Sequence, residues 1–218
     1  ALDLTKDGQD LAPGTVEGSQ PGHTGETATG TLVGTVTGGA GHTYALVGSA
    51  TGTYGEILIN PNGTYTYTLT SPASTTPHAD NGANTVTETF TYQVTDSQGN
   101  TVTSTITVNI VDDVPTAHAD KAWVGEGGII SGNVLDNDVS GADGYAAGGG
   151  VVGVRAGSDT STPVHGGLGT QINGTYGYLT LDAQGNAEYH SYPNSVNGSG
   201  ESDTFTYTIR DADGDEST

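Results

Sequence analysis

The fold is decided by a run in which polar and apolar residues alternate strictly, Thr101-Val102-Thr103-Ser104-Thr105-Ile106-Thr107-Val108-Asn109-Ile110. Because successive side chains of a β-strand point to opposite faces, this period of two predicts a strand with one buried and one exposed face. Residues 64–70 and 87–94 alternate in the same way, and Gly, Asn and Asp bound these runs. The chain is therefore predicted to form ordered antiparallel β structure, although low hydrophobicity and high net charge are also typical of disorder.

The sequence repeats itself at about the length of a small domain. Tyr54-Gly55-Glu56-Ile57 recurs as Tyr176-Gly177-Tyr178-Leu179, and Thr89-Phe90-Thr91-Tyr92 recurs as Thr204-Phe205-Thr206-Tyr207. The offsets are 122 and 115 residues, which indicates two copies of one module. Each copy offers about seven short strands with regular turn signals, a pattern typical of an antiparallel Greek-key sandwich. We therefore predict an all-β protein with two tandem β-sandwiches.

The predicted modules span residues 1–111 and 121–218, and an acidic linker lies between them at 112–120. The linker follows the alternating strand, and Pro115 within it interrupts strand pairing. The first copy continues from residues 96–100 into the strand at 101–110, whereas the second copy stops at Thr218, soon after its equivalent turn. We expect that the second module lacks its C-terminal strand and that the chain was cut from a longer tandem array.

Composition excludes several classes of function. The 218 residues include 25 acidic and 4 basic side chains, for a net charge of −21, and no cysteine. Nucleic acids and anionic membranes would be repelled, and disulfides, thiolate nucleophiles and Cys-ligated metals are excluded. Since no apolar run approaches about 20 residues, direct membrane insertion is not expected either. The open question is what neutralises the negative charge.

One acidic segment suggests a metal ligand. Asp211, Asp213 and Asp215 alternate along a turn, and carboxylates held this close repel one another unless a cation is bound. All-oxygen ligands select Ca²⁺ or Mg²⁺ over softer metals, and a flexible set of six to eight oxygens favours Ca²⁺. The spacing is not that of an EF-hand, because Gly214 stands at the fourth position rather than the sixth. Asp-x-Asp-Gly strings also form ordinary hairpin turns, so the turn alone does not decide the question.

Topology is expected to gather three acidic segments at one end of the second module. The strand before residues 136–138 runs back towards the linker, and the turn at 211–215 precedes a strand that must leave at the far end. Carboxylates brought this close would be destabilising by several kcal/mol if they were not neutralised. The predicted calcium ligands are Asp112, Asp113, Asp120, Asp136, Asp138, Asp211, Asp213 and Asp215. The same reasoning gives weaker candidates at the module ends: Glu17, Glu26, Asp80, Glu88, Asp96 and Glu126.

In order and type, these motifs resemble a known family. The segments are 108–115, Gly125-Glu126-Gly127-Gly128, 131–138, Asp203-Thr204-Phe205-Thr206-Tyr207 and Asp211-Ala212-Asp213-Gly214-Asp215. They are similar to the cadherin-like or immunoglobulin-like, VCBS-type tandem repeats of giant bacterial RTX adhesins. The resemblance covers most of the second copy and the last half of the first, whereas residues 1–50 depart from it. In the first copy the Asp-rich turn is reduced to Asp96-Ser97-Gln98-Gly99-Asn100.

The resemblance implies a function as well as an immunoglobulin-like or cadherin-like fold. It implies an extracellular spacer on the bacterial surface, stiffened by Ca²⁺, in an adhesin that is exported by type I secretion and mediates attachment or biofilm formation. Its partners would be neighbouring repeats of the same chain, with the adhesion target bound elsewhere in the parent protein.

Two other classes of function stay open on the sequence. A module that binds a glycan or peptide would use loops such as 71–84 or 140–150, where the sequence offers only Tyr145 as an aromatic contact. A glycan-cleaving enzyme would need two carboxylates facing each other across a cleft, whereas the acids here cluster at turns. We therefore expect no enzymatic activity. Trp123, the single tryptophan, is expected to pack in the core or against the linker.

Overall fold

A computed structural model describes residues 15–17, 27–72, 84–142, 144–198 and 200–218. The chain divides into two compact units, of which the first ends at Asp113 and the second continues from Val114 to Thr218. The division falls inside the predicted linker, and the later part of that linker is bonded into the second unit through a backbone pair between Thr116 and Val139. Both units are built from antiparallel sheets, so the all-β prediction is confirmed.

The first unit contains two sheets that face a common core. One has the strand order β1-β7-β6-β3 and the other the order β2-β5-β4. Neighbouring strands are antiparallel except for β1, which runs parallel to β7. The strands are β1 (Thr15–Glu17), β2 (Thr27–Thr31), β3 (Thr43–Val47), β4 (Gly55–Ile59), β5 (Thr64–Leu69), β6 (Thr85–Thr95) and β7 (Thr101–Val111).

The apolar side chains of the alternating runs form much of the core of the first unit. Most apolar residues of the alternating runs, among them Phe90, Tyr92 and Val108, are buried, and Val108 is completely inaccessible, whereas Val102 near the start of β7 is 46% exposed. The threonines between them form the outer face, where β-branched side chains favour the extended backbone. The sequence period thus separates buried from exposed side chains in these strands, except at the start of β7, where both faces are exposed.

The second unit repeats this plan with a smaller core. Its sheets have the strand orders β10-β11-β12-β8 and β14-β13-β9, and its fully buried apolar cluster comprises Val151, Val154, Leu181 and Ile209. The strands are β8 (Ile129–Asn133), β9 (Val151–Ala156), β10 (Ile172–Asn173), β11 (Gly177–Leu181), β12 (Asn186–Ser191), β13 (Phe205–Arg210) and β14 (Glu216–Ser217), with one turn of 3-10 helix at Val134–Asp136.

Two details of the second unit bear on the sequence predictions. The short strand β14 pairs antiparallel with β13, as β7 does with β6 in the first unit. Its two residues lie at the position of the C-terminal strand that the second module is predicted to lack. Trp123 is 81% exposed, so the expectation that it packs in the core is wrong. It lies before β8 in a segment without regular secondary structure, where the alternation that buries other aromatic residues does not extend.

A buried carboxylate pins the loop that precedes β4 in the first unit. Glu88 Oε1 accepts hydrogen bonds from the backbone N–H groups of Thr53 and Tyr54, and its Oε2 accepts one from the Tyr67 hydroxyl at 2.7 Å. Burial, and then the hydrogen bond to Glu88, raises the pKa of Tyr67, so the phenol stays protonated and keeps donating. Both oxygens of this buried acid are therefore satisfied within the unit.

The second unit builds the same arrangement from a different acid. Asp203 accepts hydrogen bonds from the backbone N–H groups of Thr175 (2.7 Å) and Tyr176 (3.0 Å) and from the Tyr189 hydroxyl (2.7 Å). We call the two arrangements carboxylate clasps. Each requires a glycine in the clasped loop, because a Cβ at Gly174 would lie 2.3 Å from the Asp203 carboxylate.

Replacing this glycine tests the clasp. We expect Gly174→Ala to destabilise the second unit by about 1–3 kcal/mol, since the methyl group displaces Asp203 from its donors. Gly132→Ala is the matched control, because a Cβ there meets nothing within 4 Å, and we expect it to be neutral or slightly stabilising. Thermal denaturation followed by circular dichroism measures both, and equal midpoints for the two variants would contradict the role of the clasp.

Candidate metal centre

One five-residue hairpin turn occurs three times in the described chain, at residues 96–100, 182–186 and 211–215. In each, an aspartate at the first position accepts a hydrogen bond through Oδ1 from the backbone N–H of the fifth residue, at 2.8, 2.8 and 2.7 Å respectively. The fourth residue is a glycine with positive φ, a conformation that side chains disfavour. The sequence Asp-x-x-Gly-Asn/Asp therefore encodes one local structure.

In two of these turns the fifth residue satisfies the second carboxylate oxygen. Asn100 Nδ2 donates to Asp96 Oδ2, and Asn186 Nδ2 donates to Asp182 Oδ2, both at 2.9 Å. These side-chain hydrogen bonds are the largest cause of the lowered pKa of both aspartates. Each of the two turns thus satisfies both oxygens of its own aspartate with donors from within the turn.

The third turn has lost that donor. Its fifth residue is Asp215, which carries a carboxylate where the other turns carry an amide. The Asp211 side chain is 1% exposed, and its Oδ2 is buried without a hydrogen-bond donor. Burial, together with the nearby carboxyl of Asp213, raises the pKa of Asp211 to about 7. The same backbone turn therefore holds an aspartate of lowered pKa in two places and one of raised pKa in the third, where the aspartate is buried and the amide is replaced by a carboxylate.

Three buried acids share this turn. Asp213 is 6% and Asp215 is 2% exposed, and one carboxylate oxygen of each lies within 4.8 Å of the other. The neighbouring cation is already engaged, because the guanidinium of Arg210 binds Glu216, which His165 also contacts at 2.9 Å. A buried group of this kind needs protons or a cation to balance its charge. Its oxygen-only chemistry suits Ca²⁺ or Mg²⁺.

A second acidic group in the same unit surrounds one phenol. The Tyr207 hydroxyl lies 3.0 Å from Asp120 Oδ2, 3.1 Å from Asp138 Oδ2 and 3.0 Å from the His118 carbonyl oxygen. One hydroxyl proton therefore faces several acceptors. Burial is the main reason that the pKa values of Asp120 and Asp138 are raised, and each lies close enough to another acid for repulsion to add to the effect.

The two acidic groups flank one segment of the second unit. The His118 N–H donates to Asp138 Oδ1 at 2.6 Å, and the adjacent Ala117 N–H donates to Ser217 Oγ at 2.9 Å. Ser217 follows Asp215 by two residues, and the backbone of Asp211 pairs with that of Tyr145, whose pKa is raised by burial and then by Asp138. The predicted convergence of residues 136–138 and 211–215 is thus consistent with the geometry of this unit.

The remaining predicted ligands have different surroundings. Asp136 is exposed at the end of the 3-10 helix. Asp112 and Asp113 are the last two residues of the first unit, where the Asp112 N–H donates to the Asn84 carbonyl and its side chain is 1% exposed.

The weaker candidates are engaged in local bonds wherever their side chains are described. The oxygens of Glu88 belong to a carboxylate clasp, and those of Asp96 belong to the self-satisfied turn. Glu126 Oε1 accepts a hydrogen bond from the Val196 N–H at 3.0 Å. The backbone of Glu17 lies in β1, whereas Glu26 and Asp80 lie outside the described residues.

Sequence reasoning missed Tyr207 as part of the second acidic group. Alternation in β13 places Tyr207 on the same face as Phe205, and both pack against the core. The pattern therefore indicates a core residue, and it gives no sign that the hydroxyl reaches past the core to the acids. A core tyrosine near a predicted acidic cluster is the signal that could have revealed it.

Comparison with known families agrees with the fold. The sequence model of the bacterial Ig domain family matches residues 5–109 and again residues 112–218. The predicted tandem of immunoglobulin-like domains is therefore confirmed. This fold is non-catalytic and is common in bacterial surface proteins. A search of curated proteins found no match. None of the helical segments in the described ranges has the length and apolar character to cross a membrane.

The raised pKa of Asp211 predicts how stability depends on pH in calcium-free buffer. The folded protein holds this proton up to about pH 7, whereas the unfolded chain releases it near pH 4. Stability is therefore greatest below about pH 4 for this group and falls as pH rises through about 7. Thermal midpoints in chelator should be higher at about pH 5 than at about pH 7.5.

A single substitution isolates the contribution of Asp211. Asp211→Asn keeps an acceptor for the N–H groups of Gly214 and Asp215 but removes the titrating carboxyl. The difference between the thermal midpoints at the two pH values should therefore become smaller. If the thermal midpoint of the variant depends on pH as strongly as that of the wild type, the pH dependence belongs to other groups, such as Asp120 and Asp138.

Proposed function

Because the chain belongs to the bacterial Ig domain family in both of its halves, we propose that it is a pair of calcium-stiffened extender repeats of a bacterial surface adhesin. The observation that carries the proposal is the buried Asp211 Oδ2, which lacks a donor beside two further buried carboxylates. The two sister turns at residues 96–100 and 182–186 are the internal reference, since an amide satisfies the same oxygen there.

The proposed ion is Ca²⁺, bound at the turn by Asp211, Asp213 and Asp215. Calcium accepts six to eight oxygen ligands in irregular arrangements, which suits a turn that carries several carboxylates. Asp112 and Asp113, at the end of the preceding unit, are proposed to complete the ligand set. Asp120, Asp136 and Asp138 are proposed to hold a second ion or to share the first.

Stiffening follows if residues from both sides of the linker bind the same ion. Two domains joined by a short linker move relative to each other by default, unless a large interface or a cross-link holds them. A metal ion that takes ligands from the linker and from the turn would replace the disulfides that this cysteine-free chain lacks. Such an array would hold an adhesive tip away from the cell, in attachment or biofilm formation.

The proposal also includes the setting of the protein. The resemblance to RTX adhesin repeats supports a location on the bacterial outer surface after type I secretion, where millimolar calcium would saturate even weak sites. The large negative charge would keep a long secreted array soluble. The proposed partners are neighbouring repeats, and no catalytic role is proposed.

Calcium titration against EDTA tests the ion. We expect calcium at 100 times its Kd to stabilise the second unit by about 2.7 kcal/mol, which raises the thermal midpoint by on the order of 10 °C for a domain of this size. Asp215→Asn should abolish most of the rise and increase the midpoint in EDTA, because the new amide can satisfy Asp211 as Asn100 satisfies Asp96.

The matched control is Asp182→Asn, which removes the same charge from a sister turn. This variant should lose some stability in both buffers and keep the full response to calcium. A wild-type midpoint that moves by less than about two degrees would overturn the calcium proposal.

Small-angle X-ray scattering tests stiffening separately from binding. With calcium, we expect a narrow distribution of interatomic distances and a larger maximum dimension than in EDTA, because the ion restricts rotation about the linker. Asp112→Asn with Asp113→Asn should return the calcium sample to the EDTA profile. Equal dimensions in the two buffers, with calcium bound, would refute the stiffening role while leaving the ion site intact.

A further inference from the structure

A row of side chains crosses the outer face of the second unit's four-stranded sheet. Asn173 on β10 pairs with Tyr178 on β11, Tyr178 pairs with His190 on β12, and His190 pairs with Ile129 on β8. The alternate residues of these strands, among them Leu179 and Leu181, pack in the core. The row therefore faces away from the core, and its last member, Ile129, is 60% exposed.

The row carries an ordered aromatic cluster. The rings of Tyr178 and His190 are stacked nearly parallel, with centroids 4.6 Å apart and planes 7° apart. Tyr192 lies beside them, 6.1 Å from Tyr178 and tilted by 46°. We call these three aromatic side chains, together with Ile129, the aromatic row.

The first unit shows that the fold does not require these residues. The corresponding row there, in the same register, is Glu56, Thr68 and Thr27. The offset of the repeats places Thr70 at the position of Tyr192. Two units with one architecture thus differ at this face, so the aromatic row is a feature of the second unit's surface and not of its packing.

Hydrogen-bonding groups surround the aromatic row. A groove of about 630 Å³ runs beside it and is lined by polar side chains that include Ser131, Thr180, Asp182 and Glu188. This volume lies within the usual range of ligand sites, about 300–1,000 Å³. On the other side lies the exposed Asn173, whose Oδ1 accepts hydrogen bonds from the Gln171 amide and the Tyr192 hydroxyl.

From this arrangement we propose that the outer face of the second unit binds a glycan of neutral sugars. Pyranose rings present C–H faces that stack on aromatic side chains and hydroxyl rims that bond to amides, hydroxyls and carboxylates. The aromatic row supplies the first kind of contact, and the groove together with Asn173 supplies the second. Aromatic residues that carry a polar group suit a contact that is partly exposed to water.

Charge selects among glycans. Asp182 and Glu188 line the groove, Glu201 binds the Tyr176 hydroxyl nearby at 2.7 Å, and the chain carries a net charge of −21. Sialylated and sulfated glycans would bring further negative charge to this face and be repelled. A neutral glycan contributes hydroxyl donors to these carboxylates without that repulsion.

The test is a glycan array that carries neutral hexose oligosaccharides, such as maltoheptaose and cellohexaose, together with sialylated and sulfated glycans. The whole chain should retain neutral glycans. The oligosaccharide it retains is then titrated into the protein by calorimetry. The double variant His190→Thr/Tyr192→Thr carries the residues that the first unit has at the corresponding positions, so we expect it to fold, and circular dichroism checks this.

We expect the double variant to bind at least about tenfold more weakly, a loss of about 1.4 kcal/mol. Thr68→Ala/Thr70→Ala, the matched change in the first unit, should leave affinity unchanged. Asp215→Asn should also bind normally, so that failure of the calcium proposal and failure of this one are distinguishable.

Three results would overturn the proposal. The first is a wild-type chain that retains no neutral glycan, and the second is a double variant that binds as well as wild type. The third is retention of polylysine-coated surfaces, but not glycans, through the aromatic row, which would assign the face to a cationic protein partner.

Discussion

The structure depends on how a chain with 25 acids and 4 bases satisfies its carboxylates. So few cations leave backbone N–H groups, hydroxyls and amides as the main partners. The sister turns use a backbone N–H and an asparagine amide, and the carboxylate clasps use loop N–H groups and a tyrosine. Each device gives both oxygens of its carboxylate a hydrogen-bond donor, and each also fixes a turn or loop in place.

Against this background the turn at residues 211–215 is the exception. It keeps the backbone bond of its sister turns and loses the amide, so that Asp211 Oδ2 is buried without a donor. Buried polar groups without partners are rare in folded proteins and call for a specific explanation. The comparison within one chain separates what the turn needs for its shape from what it needs for its charge, and this separation supports a bound cation.

Much of the fold was predictable from the sequence, because its strands are amphipathic and its copies are similar. Period-two alternation placed Phe90 and Val108 inside and the threonines outside, and the repeated turns marked the hairpins. The buried state of Asp211, Asp213 and Asp215 was consistent with the predicted cluster. Tyr207 and the aromatic row were not predictable, because they arise from contacts between strands: Tyr178 and His190 are 12 residues apart in sequence and meet only through strand register. Trp123 was misjudged, since its segment has no period that could assign a face.

The sister turns also bear on how such repeats can diversify. Asn and Asp have codons that differ by a single nucleotide, and the turn keeps its backbone bonds with either residue at its fifth position. A repeat can therefore exchange the amide that satisfies its aspartate for a second carboxylate in one mutational step, while the backbone of the turn stays the same. In a chain with two copies of one domain, this gives each copy an independent chance to acquire or lose a second acid at this turn. The two copies can therefore diverge in how their turns respond to protons and cations while they keep the same fold.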